Sequence, residues 1–380
     1  MKETLSRVLA YSAIVGFAVS APASAGPGTP SPLTAVGQPQ PQWHLDYLRT
    51  PAAHSLSKGF GTVIAVVDTG VSPHPDLQQN LLTGIDLTTD HSPNGQRDSD
   101  GHGTAMAGLI AANGRPSNRG AAGVAPDAKV LPVRAKIKNS EGDVADLVRG
   151  IEFAVSAGAD VISISAAAPA DAGVQRAIRL AQEADIVVVA SAGNTTGSSS
   201  VEYPAREPSV IAVGGIDQQG DHADISVAGP EIDVVAPAVD IYSTGLNEGY
   251  RVGTGTSDAT AIVAGAAALI RSKYPDLPAQ EVAHRLTATA VDKGPPGRDD
   301  QYGYGVIDLV AALTADVPPL GFESSNVTPP ASAEAAPQKG DNARTVRGLA
   351  TLGVLVAAGG GYLFWRRRRR ADDPPPRVSR

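Results

Sequence analysis

Hydrophobic and polar positions along the chain alternate between two kinds of stretch. The first is a short, unbroken apolar run: Thr62 to Val67, Val130 to Val133, Val161 to Ser165, Ile186 to Ser191 and Val210 to Gly214. Runs without a polar alternate position predict strands buried on both faces. The second kind repeats apolar residues at helical spacing, over Asp143 to Ala157, Ala172 to Ala184 and Val282 to Ala290. Two further helical stretches, Ala105 to Ala112 and Ala259 to Ile270, are small or apolar on nearly every side, which predicts helices packed tightly all round. Arg271 and Lys273 suit the negative end of the second, and Pro275 stops it. Strand and helix alternate, so the chain predicts an α/β fold in three layers, a mostly parallel central sheet with helices on both faces. No repeat of solenoid length interrupts the pattern.

The two ends follow another logic. Residues 1–25 predict a signal peptide: Lys2 and Arg7 open it, Val8 to Ser20 is its apolar core, and Ala23-Ser24-Ala25 is a small-residue cleavage site. Residues 26–42 are rich in proline and glycine and predict an extended leader, either free or laid along the domain surface. Trp43-His44-Leu45-Asp46-Tyr47-Leu48 is the first segment with enough apolar area to dock, and opens a globular domain over 43–315. Residues 316–343 form a Pro/Ala/Ser linker. Residues 344–365 predict a transmembrane helix, with Tyr362 and Trp365 at its interface. Arg366 to Arg370 then hold a basic tail, 366–380, in the cytoplasm. The expected location is a cell membrane, crossed once, with the globular domain outside the cytoplasm. The net charge of -8 argues against nucleic acid as a partner. The absence of cysteine excludes cysteine catalysis and thiolate metal sites.

Candidate chemistry collects at the ends of the predicted strands and the starts of the helices. Asp68 ends the first apolar run, where open α/β sheets place their ligands. His102 is the only histidine with glycine on both sides, which removes side-chain cover from its ring. Ser257 follows the turn-forming Gly253-Thr254-Gly255-Thr256 at the start of a buried helix. There it is either an N-cap serine or a nucleophile in a positive helix-end potential. A serine hydroxyl needs a base near neutral pKa, and an imidazole base needs a carboxylate to fix its tautomer. Asn194, just past the run Ile186 to Ser191, offers an amide donor for an oxyanion.

Val66-Val67-Asp68-Thr69-Gly70, Gly101-His102-Gly103-Thr104, Ala192-Gly193-Asn194 and Gly255-Thr256-Ser257 resemble the signatures of the subtilisin-like serine proteases, in that family's order of Asp, His and Ser. Tyr203-Pro204-Ala205, Pro208 to Gly214 and Val235-Ala236-Pro237 are similar to further segments of it, and the resemblance runs from about Trp43 to Leu313. It implies a subtilisin-like fold and a serine endopeptidase acting on protein or peptide substrates. Asp68, His102 and Ser257 would be its triad, Asn194 its oxyanion donor, and no cofactor takes part in the chemistry. The layout of leader, protease domain, linker, span and arginine tail resembles the mycosins, the membrane-anchored proteases of actinobacterial type VII secretion, and implies membrane components of that system as partners. Two rival roles are a structural scaffold whose protease activity is dispensable and a general cell-surface protease.

The chain departs from the family pattern in places. After Ser257 comes Asp258, where the family commonly has Met or Phe. The family's Ser-Leu-Gly substrate-binding edge becomes Ser165-Ala166-Ala167. Glu202 stands where the resemblance places the base of the S1 pocket, usually a small residue. A carboxylate there favours Arg or Lys at P1, unless the loop Thr195 to Ser200 turns it to solvent. Asp90, Asp98 and Asp100 read either as structural calcium ligands without diagnostic spacing or as solvated loop charge.

Overall fold

Each predicted apolar run is a strand. The computed structural model describes residues 34–36, 41–90, 92–115, 119–138 and 141–321; for 34–36, 115, 119, 137–138 and 141 it describes the backbone alone. The main sheet has seven strands: β1 (Val63–Asp68), β2 (Ile85–Asp86), β3 (Lys129–Arg134), β4 (Val161–Ile164), β5 (Val187–Ser191), β6 (Ile211–Ile216) and β7 (Val234–Pro237). They lie in the order β7-β6-β5-β4-β1-β3-β2, and every neighbouring pair is parallel. β2 and β7 have no counterpart among the predicted runs: β2 is two residues long, and β7 is interrupted in sequence by Ala236 and Pro237.

The runs are unbroken because both faces are covered. In β1, Ile64 and Val66 belong to one hydrophobic cluster while Ala65 and Val67 belong to the other. The same period of two divides Val187 and Val189 from Val188 and Ala190 in β5. Two helices, α1 (His102–Ala111) and α4 (Thr256–Lys273), supply the first cluster, and α2 (Val144–Ser156) and α3 (Ala172–Glu183) the second. α1 is buried along its whole length and α4 along nearly all of it, as their small-residue composition predicts. α2 and α3 bury one stripe each, and Asp143 and Asp171 cap them by accepting backbone N–H groups. A later amphipathic helix, α5 (Ala279–Ala288), begins three residues before its predicted start at Val282.

The described part of the leader, Thr34–Val36, is laid along the domain. Thr34–Val36 pairs antiparallel with Tyr250–Val252, on the outer side of a ribbon made by β8 (Ile241–Thr244) and β9 (Tyr250–Gly253). The Trp43 indole N–H then donates to the Val239 carbonyl at 3.1 Å, anchoring the first docked segment. Residues 1–25, read from sequence as a signal peptide, and all residues after 321, including the stretch 344–365 read as a membrane span and the basic tail, lie outside the described residues. Among the described residues no helix is long and apolar enough to cross a membrane.

The topology sets where chemistry can occur. From β1 the chain builds β2 and β3 on one side, then returns past β1 to start β4 on the other. The carboxyl ends of β1 and β4 therefore flank a switch point, the place where open α/β sheets bind ligands. Asp68 ends β1, Ser165 follows β4, and Asn194 lies just past β5.

Candidate active site

Asp68 is the last residue of β1 and is 1% exposed. His102 opens α1, and Gly101 ahead of it has φ 94°, a left-handed turn that suits glycine. Gly103 has a different reason from the one its sequence position implied. A Cβ there would collide with the Gly70 carbonyl oxygen, so glycine lets α1 close onto the β1 loop. His102 is itself 4% exposed, so the flanking glycines bring elements together rather than uncovering the ring. Across this contact His102 Nδ1 donates to the Asp68 carboxylate, 2.8 Å from Oδ1 and 2.9 Å from Oδ2. The Thr69 N–H donates to Asp68 Oδ1 at 2.7 Å. Despite the cost of burial, His102, Lys136 and these hydrogen bonds hold the Asp68 carboxyl down at about 2. Asp68 is therefore ionised across the physiological range.

Ser257 is not an N-cap. Gly255 takes the cap position and Thr256 is the first helical residue, so α4 starts earlier than its apolar pattern predicts. Ser257 lies in the first turn, half-buried, with the free N–H groups of the helix start around it. The Ser165 hydroxyl donates to the Ser257 carbonyl at 3.4 Å, which links the end of β4 to this turn. Asn194 is tied to the same turn: its Oδ1 accepts from the Thr256 N–H at 3.0 Å and from the Thr256 hydroxyl at 3.1 Å. That orientation turns Nδ2 toward Gly255, where a Cβ would lie 3.2 Å from it. Among the described residues His102 forms hydrogen bonds only with Asp68, and none joins its ring to the Ser257 hydroxyl.

The sequence of the domain matches the Subtilase family over residues 59–305. The chain belongs to the subtilases. It is 36% identical to Mycosin-1 of Mycobacterium tuberculosis over 352 residues, covering 77% of each chain. It is 39% identical to subtilisin DY of Bacillus licheniformis over 260 residues, covering 67% of this chain and 92% of the other. Its fold matches the solved structure of a serine protease MycP1, titled an essential component of the type VII (ESX-1) secretion system. That match has 35% identity, a TM-score of 0.64, and coverage of 76% of this chain and 94% of the other. The chain is thus a subtilisin-like serine protease by family, and resembles the mycosins within it.

Two buried cations that sequence reasoning missed lie beside this candidate site. Lys136, 4% exposed, lies 3.6 Å from Asp68 Oδ2 and donates to the Ser165 carbonyl at 2.8 Å. It ties the edge Ser165-Ala166-Ala167 to the buried carboxylate. Ala166 is half-buried and Ala167 exposed, and the adjoining Ala168 donates its N–H to the Tyr203 carbonyl at 2.9 Å. Arg134 is fully buried; it reaches Asp86 and Asp90 at 2.8 Å each and donates to the Thr69 carbonyl at 3.2 Å. The only sequence signal for either was a cation at the end of a buried run.

Glu202 is half-buried. Its carboxylate packs over Gly193, where a Cβ would lie 2.7 Å from Oε2, and burial pushes its carboxyl up. Asp98 is not a solvated loop charge, whereas Asp90 is exposed. Asp90 pairs with Arg134. Asp98, 7% exposed, accepts from the N–H groups of Asp100, Gly101 and Thr104 and from the Thr104 hydroxyl. Among the described residues no cluster of three or more His, Asp or Glu is arranged to hold a metal.

Proposed function

We propose that Ser257, His102 and Asp68 form the catalytic triad of a serine endopeptidase. Ser257 Oγ attacks the peptide carbonyl while His102 Nε2 takes its proton. Asp68 holds the Nδ1–H tautomer and stabilises the imidazolium that results. Asn194 Nδ2 and the Ser257 N–H donate to the oxyanion. His102 returns the proton to the leaving amine, and water repeats the sequence to release the acid. The observation that carries this reading is the paired contact of His102 Nδ1 with a buried, ionised Asp68. It lies at the same end of the sheet as the first turn of α4. An extended peptide would pair along Ser165-Ala166-Ala167, with its P1 side chain directed toward Glu202.

The protease is proposed to be anchored in a cell membrane with its domain outside the cytoplasm, and to serve type VII secretion. Its resemblance to MycP1 and Mycosin-1 supports this, as do the apolar 344–365 stretch and Arg366 to Arg370. A scaffold whose cleavage is dispensable remains the second reading, favoured by the same resemblance. The test is Ser257→Ala in the native host. Lost peptide cleavage with intact secretion assigns the scaffold role; both lost assigns the protease to secretion; intact cleavage contradicts the triad.

A further inference from the structure

Asp68 has to be an anion to orient His102, and His102 is neutral in the state that accepts the serine proton. A buried carboxylate without a full positive charge beside it is costly. Among the described residues Lys136 is the only lysine or arginine within ion-pair distance of Asp68, its Nζ standing 3.6 Å from Oδ2. Burial would push the Asp68 carboxyl up, but His102 and Lys136, with hydrogen bonds, hold it down. The two carboxylate oxygens are held from different sides. His102 Nδ1 reaches both, the Thr69 N–H reaches Oδ1, and Lys136 approaches Oδ2.

The same ammonium has a second partner. It donates to the Ser165 carbonyl at 2.8 Å, at the start of the edge proposed to receive an extended peptide. Lys136 makes both contacts from two residues beyond β3, and its own chain holds it there. It pairs with Gly142 in a short antiparallel ribbon, and a Cβ at Gly142 would crowd the Lys136 Cβ at 3.2 Å. One buried charge thus stands between the acid at the end of β1 and the edge that follows β4. A cavity of about 230 Å³ adjoins its side chain, lined also by Leu147, Ala166 and the exposed Ala167.

We propose that Lys136 is a positioning residue that fixes the plane of the Asp68 carboxylate and the place of the Ser165 edge relative to it. This rests on the triad and edge readings above. Without the ammonium, the Oδ2 side of Asp68 is released and the imidazole loses its fixed orientation, which lowers kcat. The edge also loses its tie to the acid, which raises KM for any peptide long enough to pair along it.

The test is hydrolysis, by the full chain in detergent, of two fluorogenic amides with the same P1 residue. One is a tetrapeptide that reaches along the edge, and the other a single residue that does not. Rates are taken per serine titrated with a fluorophosphonate, so that unfolded protein does not count, because removing one partner of a buried pair also lowers stability. Lys136→Met should lower kcat about 10-fold or more on both amides and raise KM on the tetrapeptide alone. Lys136→Ala should lose as much. Propylamine should restore much of that loss through the adjoining cavity, whereas propan-1-ol, equally long and uncharged, should not. Should these variants not fold, Lys136→Gln, polar and uncharged, replaces them with the same loss of kcat expected. Parental kinetics per titrated site make Lys136 structural only and overturn the proposal, as does equal rescue by the amine and the alcohol. Ser257→Ala distinguishes this from failure of the triad. Cleavage that survives it removes the reading underneath, whereas cleavage lost with it and parental kinetics in Lys136→Met remove Lys136 alone.

Discussion

His44 shows how much one enclosed side chain can couple to pH. It lies in the short helix Trp43–Tyr47, fully buried, and neither ring nitrogen has a hydrogen-bond partner among the described residues. Burial drives its pKa from 6.5 down to about 3. A histidine depressed in the folded state binds its proton more tightly in the unfolded chain. Its cost is therefore absent above the unfolded value and grows as pH falls toward the folded one. Between pH 7 and pH 5 this removes roughly 2 kcal/mol of stability. His44→Leu should flatten that loss in urea midpoints at the two pH values; an unchanged pH dependence would contradict it. Glu202 carries the specificity prediction. Its half-buried carboxylate lies over Gly193, next in sequence to the proposed oxyanion donor, and partial burial pushes its carboxyl up. Peptides with Arg or Lys at P1 should be cleaved about 10-fold or more faster than Leu or Phe peptides, by a charge-assisted bond. Glu202→Ala should equalise them, and equal rates in the unaltered protein would discard the assignment. The sequence placed Glu202 only through a resemblance, and left its direction open because loop packing decides it. His44 had no partner pattern to read, since its property comes from what covers it.

At the scale of elements, the start of α1 depends on one carboxylate upstream of it. Asp98 collects three backbone N–H groups and the Thr104 hydroxyl, and so fixes the turn that presents His102. Asp98→Ala leaves these buried donors unmet and should cost about 2–3 kcal/mol in chemical unfolding. It should also lower the turnover number more than it raises KM, because His102 is the first residue of the helix it supports. A variant equal to the parent in stability and turnover would refute that role. The strand runs were legible because a sheet covered on both faces leaves no polar position to break them. Helix starts were less so. α1 and α4 both begin at or next to glycine, in Gly-His-Gly and Gly-Thr-Ser, which read locally as loop. The first turn of α1 is held by Asp98, close upstream but legible only as a loop charge, and that of α4 by Asn194, which lies outside any local window. β7 went unread because Pro237 ends it at a position where its fixed geometry is tolerated.

Several of the described buried charges lie around the carboxyl end of the main sheet, while buried Arg271 pairs with Asp185 ahead of β5. Arg134 with Asp86 and Asp90, Lys136 with Asp68, and Arg251 with Asp258 are pairs made by register and crossover, each joining separate elements. Nothing in local spacing forecasts them, and so Lys136 and Arg251 were missed while the residues in family-like motifs were found. The leader's pairing with β9 adds the strand that carries Arg251 to the same assembly. All of this converges on one hydroxyl. The most direct measurement is peptide mapping by mass spectrometry after fluorophosphonate treatment of the full chain. The account predicts a single stoichiometric adduct on Ser257, abolished by His102→Ala. An adduct on another residue, or none on a protein that still cleaves peptides, would contradict it.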